Sequence, residues 1–430
     1  MAKSIRQDPT GEENGIDPVG TTTAITTVAA TAATSPSSPL PTNTYYSTSI
    51  LQPPPAHIPR LSLMERYLHV TSLTPNTFTN TYAFVRVPGA RRIFGGEILG
   101  QCIVAAAGTV PETFCLHSIH SSFVLMGNPE IPIKYEVADV RTGRSFATRE
   151  VKATQKGQVI VVLIASFLRQ VPAKKPTPGA ATEWQVAMPE VLQPWEIPSE
   201  QDKVKQAEAI LSSLGETIAL NKFRNLHDPS IAADEAALSS AFAALHRRKL
   251  QLQLDPFDWR EIERPFHFVG KTGSEASSYT PTEAFSSRKL RYWVRAREPL
   301  LPMSSSGIPH AQLAALVYCT DYWFIGTPLR INPATASGDN YALMISLDHI
   351  VYLHLGPETR VDEPGDQGWL LVEMDAPWLA NGRTVITQRI WRASDGRLVA
   401  TCFQQGLIKL KDDSTGETGV GTVSSRSGKL

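Results

Sequence analysis

The chain has 430 residues, 42% of them hydrophobic, with 41 basic side chains against 41 acidic ones. That length supports two or three cores, and a net charge near zero excludes a general nucleic-acid binder. No apolar run reaches the roughly 18 residues of a membrane span, and no apolar core of a signal peptide opens the chain.

In chain order, residues 1–58 are rich in Thr, Ser, Ala and Pro. Such a segment buries too little apolar surface to offset the entropy of ordering, so a disordered head is expected. From Leu61, SLMERYLHVTSL, TPNT and FTNTYAFVRV predict a short helix leading into a strand or hairpin. RIFGGEILGQ then opens an apolar run, and a helix is expected over about residues 96–109. A helix that begins on Gly95 and Gly96 has two readings: a sharp turn, or a backbone N–H that a ligand must approach. SIHSSFVL, PIKYEVADVRTG and FATREVKATQKG alternate as strands, with a turn at Lys156-Gly157. QVIVVLIASFL is almost continuously apolar and is expected at the centre of a sheet.

PAKKPTPGAATEW reads as a linker, and two helical patterns follow in residues 171–254, read as a connection rather than a lid. Strands are expected near REIERPFHFV and at LRYWVRA. HAQLAALVYCTDYWF (310–324) is apolar at helical spacing, ISLDHIVYLHLG and GWLLVEMDAPWL are strands, and a hairpin turns at Asp395-Gly396. Residues 412–430 form a polar tail.

The second half repeats the first. Residues 142–168 align with 381–407 over 27 positions without a gap, pairing Gly143 with Gly382, Thr148 with Thr387 and Gly157 with Gly396. Upstream, His120 and Gly127 match His349 and Gly356 at one shared offset. A helix precedes the strands in both halves, which points to duplication.

Several chemistries are absent. There is no GxSxG, and VGKT at 269–272 lacks the first P-loop glycine because Pro265 stands there. The four cysteines, Cys102, Cys115, Cys319 and Cys402, form no CxxC pair, and His310, His349 and His354 do not sit at zinc spacing. The thiols read as buried in a reducing compartment, the histidines as core or surface, and no metal is expected.

Two helices, each buried against a long antiparallel sheet, describe an α+β double hotdog: two fused domains, each a long helix wrapped by a curved sheet. RIFGGEILGQCIVAAA with LHSIHSSFVLMGNPEIPIKYEVADVRTGRSF resembles the first half of the acyl-CoA thioesterase II family. YCTDYWFIGTPL, ISLDHIVYLH and VATCFQQGLIKL resemble its second half. The resemblance covers roughly residues 60–170 and 255–411, and implies hotdog domains at 59–170 and 255–411. It further implies hydrolysis of acyl-CoA to free acid and CoA without a covalent intermediate and without a cofactor, CoA being part of the substrate. The water-activating residues would be Asp321, Ser346 and Gln404. If the halves pack side by side, the α-helix start at Gly95 and Gly96 would face that site and bind substrate; a tight strand-to-helix turn is the other reading of these glycines. The first half has Ala165 and His117 where the second has Gln404 and Ser346, so one site per chain is expected. Two positions depart from the family: Glu97 replaces a usual Gln, and Tyr352-Leu353-His354 replaces a common Trp-Phe-His.

The chemistry is coherent on its own terms. Asp321 would accept a proton from water, Ser346 and Gln404 would orient that water, and a helix N-terminus would donate to the developing oxyanion. The alternatives are an enoyl-CoA hydratase or dehydratase of hotdog type, through His349 or His354, and a non-catalytic acyl-CoA-binding or interaction protein. Gly428-Lys429-Leu430 matches two positions of the S-K-L peroxisomal address, so a peroxisomal location and an import receptor are expected, with the cytoplasm as alternative. Homo-oligomers are expected as well.

Overall fold

The computed structural model describes residues 61–84, 92–170, 184–224, 229–262, 284–332, 341–363 and 365–410. The Thr/Ser/Pro-rich head, the VGKT stretch, and the polar tail with Gly428-Lys429-Leu430 lie outside the described residues.

Ser62 caps α1 (Leu63–Leu68): its hydroxyl accepts from the Glu65 N–H, and the Glu65 carboxylate accepts from the Ser62 N–H at 2.7 Å. β1 (Val70–Thr74) and β2 (Thr77–Asn80) form a hairpin. α2 (Gly95–Ala107) is buried from Gly96 to Ala107, because its sequence is apolar on every side rather than along one stripe. β3 (Phe114–Phe123), β4 (Lys134–Thr142), β5 (Phe146–Gln155) and β6 (Gln158–Arg169) follow. The β5–β6 turn is Lys156 and Gly157, both left-handed (φ 49° and 77°), which matches the twist of the strands it joins. β6 lies between β5 and β3, as its apolar run requires.

Two 25-residue helices, α3 (Glu200–Arg224) and α4 (Pro229–Gln253), link the halves and are tied by Arg248–Glu200 (2.7 Å) and Lys249–Glu208 (2.5 Å). The second half runs β7 (Phe257–Ile262), β8 (Leu290–Ala296), the short α5 (Met303–Ser306), α6 (Ala311–Thr320) and α7 (Thr327–Ile331). It closes with β9 (Tyr341–Ser346), β10 (Asp348–Leu353), β11 (Leu370–Ala380), β12 (Arg383–Arg392) and β13 (Leu398–Leu410).

One antiparallel sheet joins both halves in the order β1-β2-β4-β5-β6-β3-β10-β13-β12-β11-β8-β7, with β9 on β13. The seam is β3 against β10, with Ile119 opposite Val351. Outward from the seam the order is the same in both directions. α2 and α6 pack on each other inside this sheet. They run antiparallel, since Gly95 meets Asp321 while Gly100 meets Ala314. A Cβ at Gly100 would lie 2.5 Å from the Leu68 side chain of α1 and 3.4 Å from Ala314 O of α6. This is the expected α+β double hotdog, drawn as one continuous sheet.

ISLDHIVYLHLG differs from the expected single strand. Between Ser346 opposite Gly406 and Ile350 opposite Phe403, the β9–β10 side carries one extra residue. The chain bulges at Leu347, whose N–H donates to Gln405 O at 2.8 Å and whose carbonyl accepts from Phe123 N–H at 2.9 Å.

Candidate active site

Asp321 is the C-cap of α6, where the helix ends against the start of α2. The residue is 8% exposed, and burial pushes its carboxyl up to about 7, opposed by the Gln404 amide and the Gly96 N–H. Two residues on, Trp323 holds the left-handed region (φ 61°), which costs a non-glycine residue about 1–2 kcal/mol. The Arg330 guanidinium stacks over the Trp323 ring at 4.6 Å, and this packing secures the turn that aims Asp321.

Gln404 stands behind Asp321. Its Nε2 donates to Asp321 Oδ1 at 2.9 Å and lies 3.1 Å from His349 Nδ1. His349 is fully buried, which pushes its imidazole down to about 3, so the ring is neutral. With Nδ1 accepting from Gln404, its Nε2–H donates to Thr320 Oγ1 at 2.8 Å, and Thr320 donates to Val317 O at 2.7 Å. A hydrogen-bonded line therefore runs from the last turn of α6 to the carboxyl of Asp321. Gln404 Oε1 is buried with no hydrogen-bond partner among the described residues.

The other face of Asp321 opens on a cleft of about 390 Å³, within the size range of ligand sites. Gly95, Phe123, Ile325 and Ser346 line it with Asp321. Gly95 and Gly96 answer the question their sequence posed. Neither adopts positive φ, so a left-handed turn is not the reason for them. A Cβ on Gly95 would lie 2.7 Å from Asp321 Oδ2, and one on Gly96 would lie 2.5 Å from Tyr318 O. The glycines let the positive start of α2 come up to a buried carboxyl on the facing helix.

Asp321, Ser346 and Gly95 thus share one cleft, while Gln404 touches Asp321 from behind and does not line the cleft. No hydrogen bond joins Ser346 to Asp321 or Gln404 among the described residues. Sequence reasoning set His349 aside as a core or surface residue. Alternation from Ser346 sends His349 to the opposite face of a regular strand, and only the bulge at Leu347 brings both to the helix side. The one available signal was its position three residues after Ser346 in SLDH.

Glu97 faces elsewhere. It lines a second cavity on the far side of Phe94, with Tyr67, Tyr318, Tyr322, Trp323, Arg92, Arg248 and Asp255. The last two turns of α4 supply Arg248 and Gln251 to that wall, so the middle segment does more than connect. Among the described residues no helix is long and apolar enough to cross a membrane.

Residues 86–168 match the family pattern described as the acyl-CoA thioesterase N-terminal domain, and residues 248–408 match its C-terminal domain. Acyl-coenzyme A thioesterase 8 of Mus musculus is 30% identical over 325 residues, 76% of this chain and 82% of that protein. The peroxisomal acyl-coenzyme A thioester hydrolase 1 of Saccharomyces cerevisiae is 23% identical over 375 residues, 81% of this chain and 95% of that one. The crystal structure of acyl-CoA thioesterase II TesB2 from Mycobacterium marinum superposes with a TM-score of 0.54 at 24% identity. It covers 81% of this chain and 98% of its own, and it supports the fold. The fold is that of a double-hotdog protein. The chain belongs to the acyl-CoA thioesterase II family and is, as a member of it, an acyl-CoA thioester hydrolase.

Proposed function

We propose that this chain hydrolyses acyl-CoA by direct attack of a water held between Asp321 and Ser346, with Gln404 positioning Asp321. The observation that carries the reading is the buried Asp321 carboxyl: Oδ1 is held by Gln404 at 2.9 Å, while Oδ2 sits at the start of α2 in the cleft that Ser346 lines. As a carboxylate, Asp321 takes a proton from water while the water oxygen attacks the thioester carbon. The oxyanion forms beside the first N–H groups of α2. Collapse expels the CoA sulfur, which takes the proton back from Asp321, leaving acid and CoA thiol.

The hotdog hydratase reading needs an imidazole at the substrate. Both His349 nitrogens are committed, one to Gln404 and one to Thr320, and the ring is fully buried. His354 bonds Thr401 at 2.9 Å, on a strand face away from Asp321. These positions favour hydrolysis. A peroxisomal location is proposed on the yeast relative, whose name carries that location.

The test is CoA release, followed by thiol detection, over short, medium, long and branched acyl-CoAs, beside Asp321→Asn. Release that collapses in the folded variant supports the reading. Release that survives it removes Asp321 from the mechanism, and no release from any substrate overturns hydrolysis.

A further inference from the structure

The cavity behind Phe94 holds about 450 Å³ and shares Arg92 and Phe94 with the catalytic cleft. Its walls are aromatic. The Phe94 ring meets Tyr318 and Tyr322 edge-on, at 5.0 and 5.6 Å between centroids. Tyr322 meets Trp323 at 5.3 Å and stacks on Trp259 at 4.7 Å. Two carboxyls stand in this wall, and they differ. Asp255 is fully engaged: Oδ1 accepts from Phe257 N–H (3.0 Å) and Trp259 Nε1–H (3.3 Å), and Oδ2 accepts from Tyr322 O–H (2.7 Å).

Glu97 is not engaged. It is 4% exposed, and among the described residues no hydrogen bond or ion pair reaches its carboxyl. The Tyr318 hydroxyl on the same wall also has no partner among the described residues. Both residues line the cavity, where a bound group can reach their unpartnered polar atoms. The neighbour of Glu97 one turn on shows what engagement looks like: Gln101 donates to Tyr67 O and accepts from Tyr135 O–H. Burial raises the Glu97 carboxyl well above the usual carboxylate range and so favours its neutral form, which can both donate and accept.

The charges of the chamber limit what it takes. Arg248 is paired with Glu200 at 2.7 Å and Asp255 accepts from three donors, so neither offers a free charge to a ligand. A neutral hydrogen-bonding group on an otherwise apolar chain fits. We infer that the chamber behind Phe94 receives the distal part of the acyl group and that Glu97, with Tyr318, selects acyl chains carrying a hydroxyl there over plain hydrocarbon chains. This rests on the proposed thioesterase reading, which places the thioester at Asp321. Glu97 is then a specificity-determining residue outside the catalytic group.

The test compares kcat/KM for decanoyl-CoA with a series of monohydroxydecanoyl-CoAs whose hydroxyl moves along the distal half of the chain. The wild-type chain is expected to favour at least one hydroxylated substrate by tenfold or more, on the order of one well-made buried hydrogen bond. Glu97→Leu should bring the ratio to about one or invert it while keeping turnover of decanoyl-CoA. Glu97→Gln and Tyr318→Phe should each retain part of the preference. Thermal melting of each variant controls for folding. Equal rates for all substrates in the wild type, or a preference that survives Glu97→Leu, would overturn the inference. If no acyl-CoA turns over, hydrolysis falls, and calorimetric binding of the same pairs to Asp321→Asn still decides the chamber. Tighter binding of a hydroxylated acyl-CoA, lost on adding Glu97→Leu, upholds it; equal binding overturns it.

Discussion

Where α6 ends, the chain places Asp321; where α2 ends, the same cap position is Gly108. In the sequence alignment Gln404 on β13 matches Ala165 on β6 and Ser346 matches His117; by strand pairing, Ser346 opposite Gly406 takes the place of Leu116 opposite Phe167. His349 is buried in the site, whereas His120, its match in sequence, pairs with Ile350 on the other face of the seam and is exposed beside Tyr352. The helix starts differ too, since α6 opens on His310 and Ala311 where α2 opens on Phe94 and Gly95. In the first half, Arg149 closes the corresponding corner: it is 2% exposed and donates to Asp139, Thr109 and Thr142. Two halves of one design thus hold one chemical site and one structural ion network. A hotdog core tolerates either, because the sheet and helices are kept by packing and the site by a few cap and strand positions.

Asp321→Asn should break the asymmetry most strongly. A general base contributes roughly 10²–10⁴ in rate, so kcat should fall at least about a hundredfold with the fold intact. Thiol-release kinetics and circular dichroism measure both. Gly95→Ala should cost about a hundredfold, because its methyl would lie 2.7 Å from Asp321 Oδ2 and displace the carboxyl. Unchanged kcat would show that the α2 start plays no part.

The pH profile comes next. The base form of Asp321 exists above its pKa, so kcat should fall about tenfold per unit below pH about 7. Its folded pKa of about 7 is raised above the ordinary aspartate value of 3.8, so its protonation stabilises the fold at low pH, and that contribution is lost as pH rises through about 7. Asp321→Asn should therefore gain about 2–3 kcal/mol more stability at pH 8 than at pH 5, at about 1.4 kcal/mol per unit. Urea unfolding at the two pH values tests the sign. The smallest effect closes the comparison. Ser346→Ala should slow turnover about tenfold, while His117→Ser, at its match in sequence, should leave kcat within about twofold.

Much of this was legible in the chain. Hydrophobic period distinguished the all-round apolar helices from the alternating strands, and Gly157 and Gly396 marked real left-handed turns (φ 77° and 68°). Gly143 and Gly382 did not behave alike, since only Gly382 is left-handed (φ 73°). Asp321, Ser346 and Gln404 were legible as residue types, but their division of labour was not. That Gln404 faces Asp321 and His349 rather than the cleft depends on long-range pairing of β13 with β10 and β12. The role of His349 was hidden by a single extra residue, which no periodicity argument registers before the strand partners are known. Glu97 was legible as a departure, yet the direction in which it points follows only from how α2 sits against Phe94 and Tyr318.

The approach of α2 to Asp321 has a consequence for how this chain can be divided. The acid and the helix dipole beside it come from opposite sides of the β3–β10 seam, so neither portion alone encodes a working centre. A polypeptide severed between residues 170 and 184 should regain activity only when both pieces are produced together, with the seam as their adhesive. In a random mutagenesis screen, inactivating changes should accordingly gather around Gly95, hundreds of residues from the carboxylate that they disable.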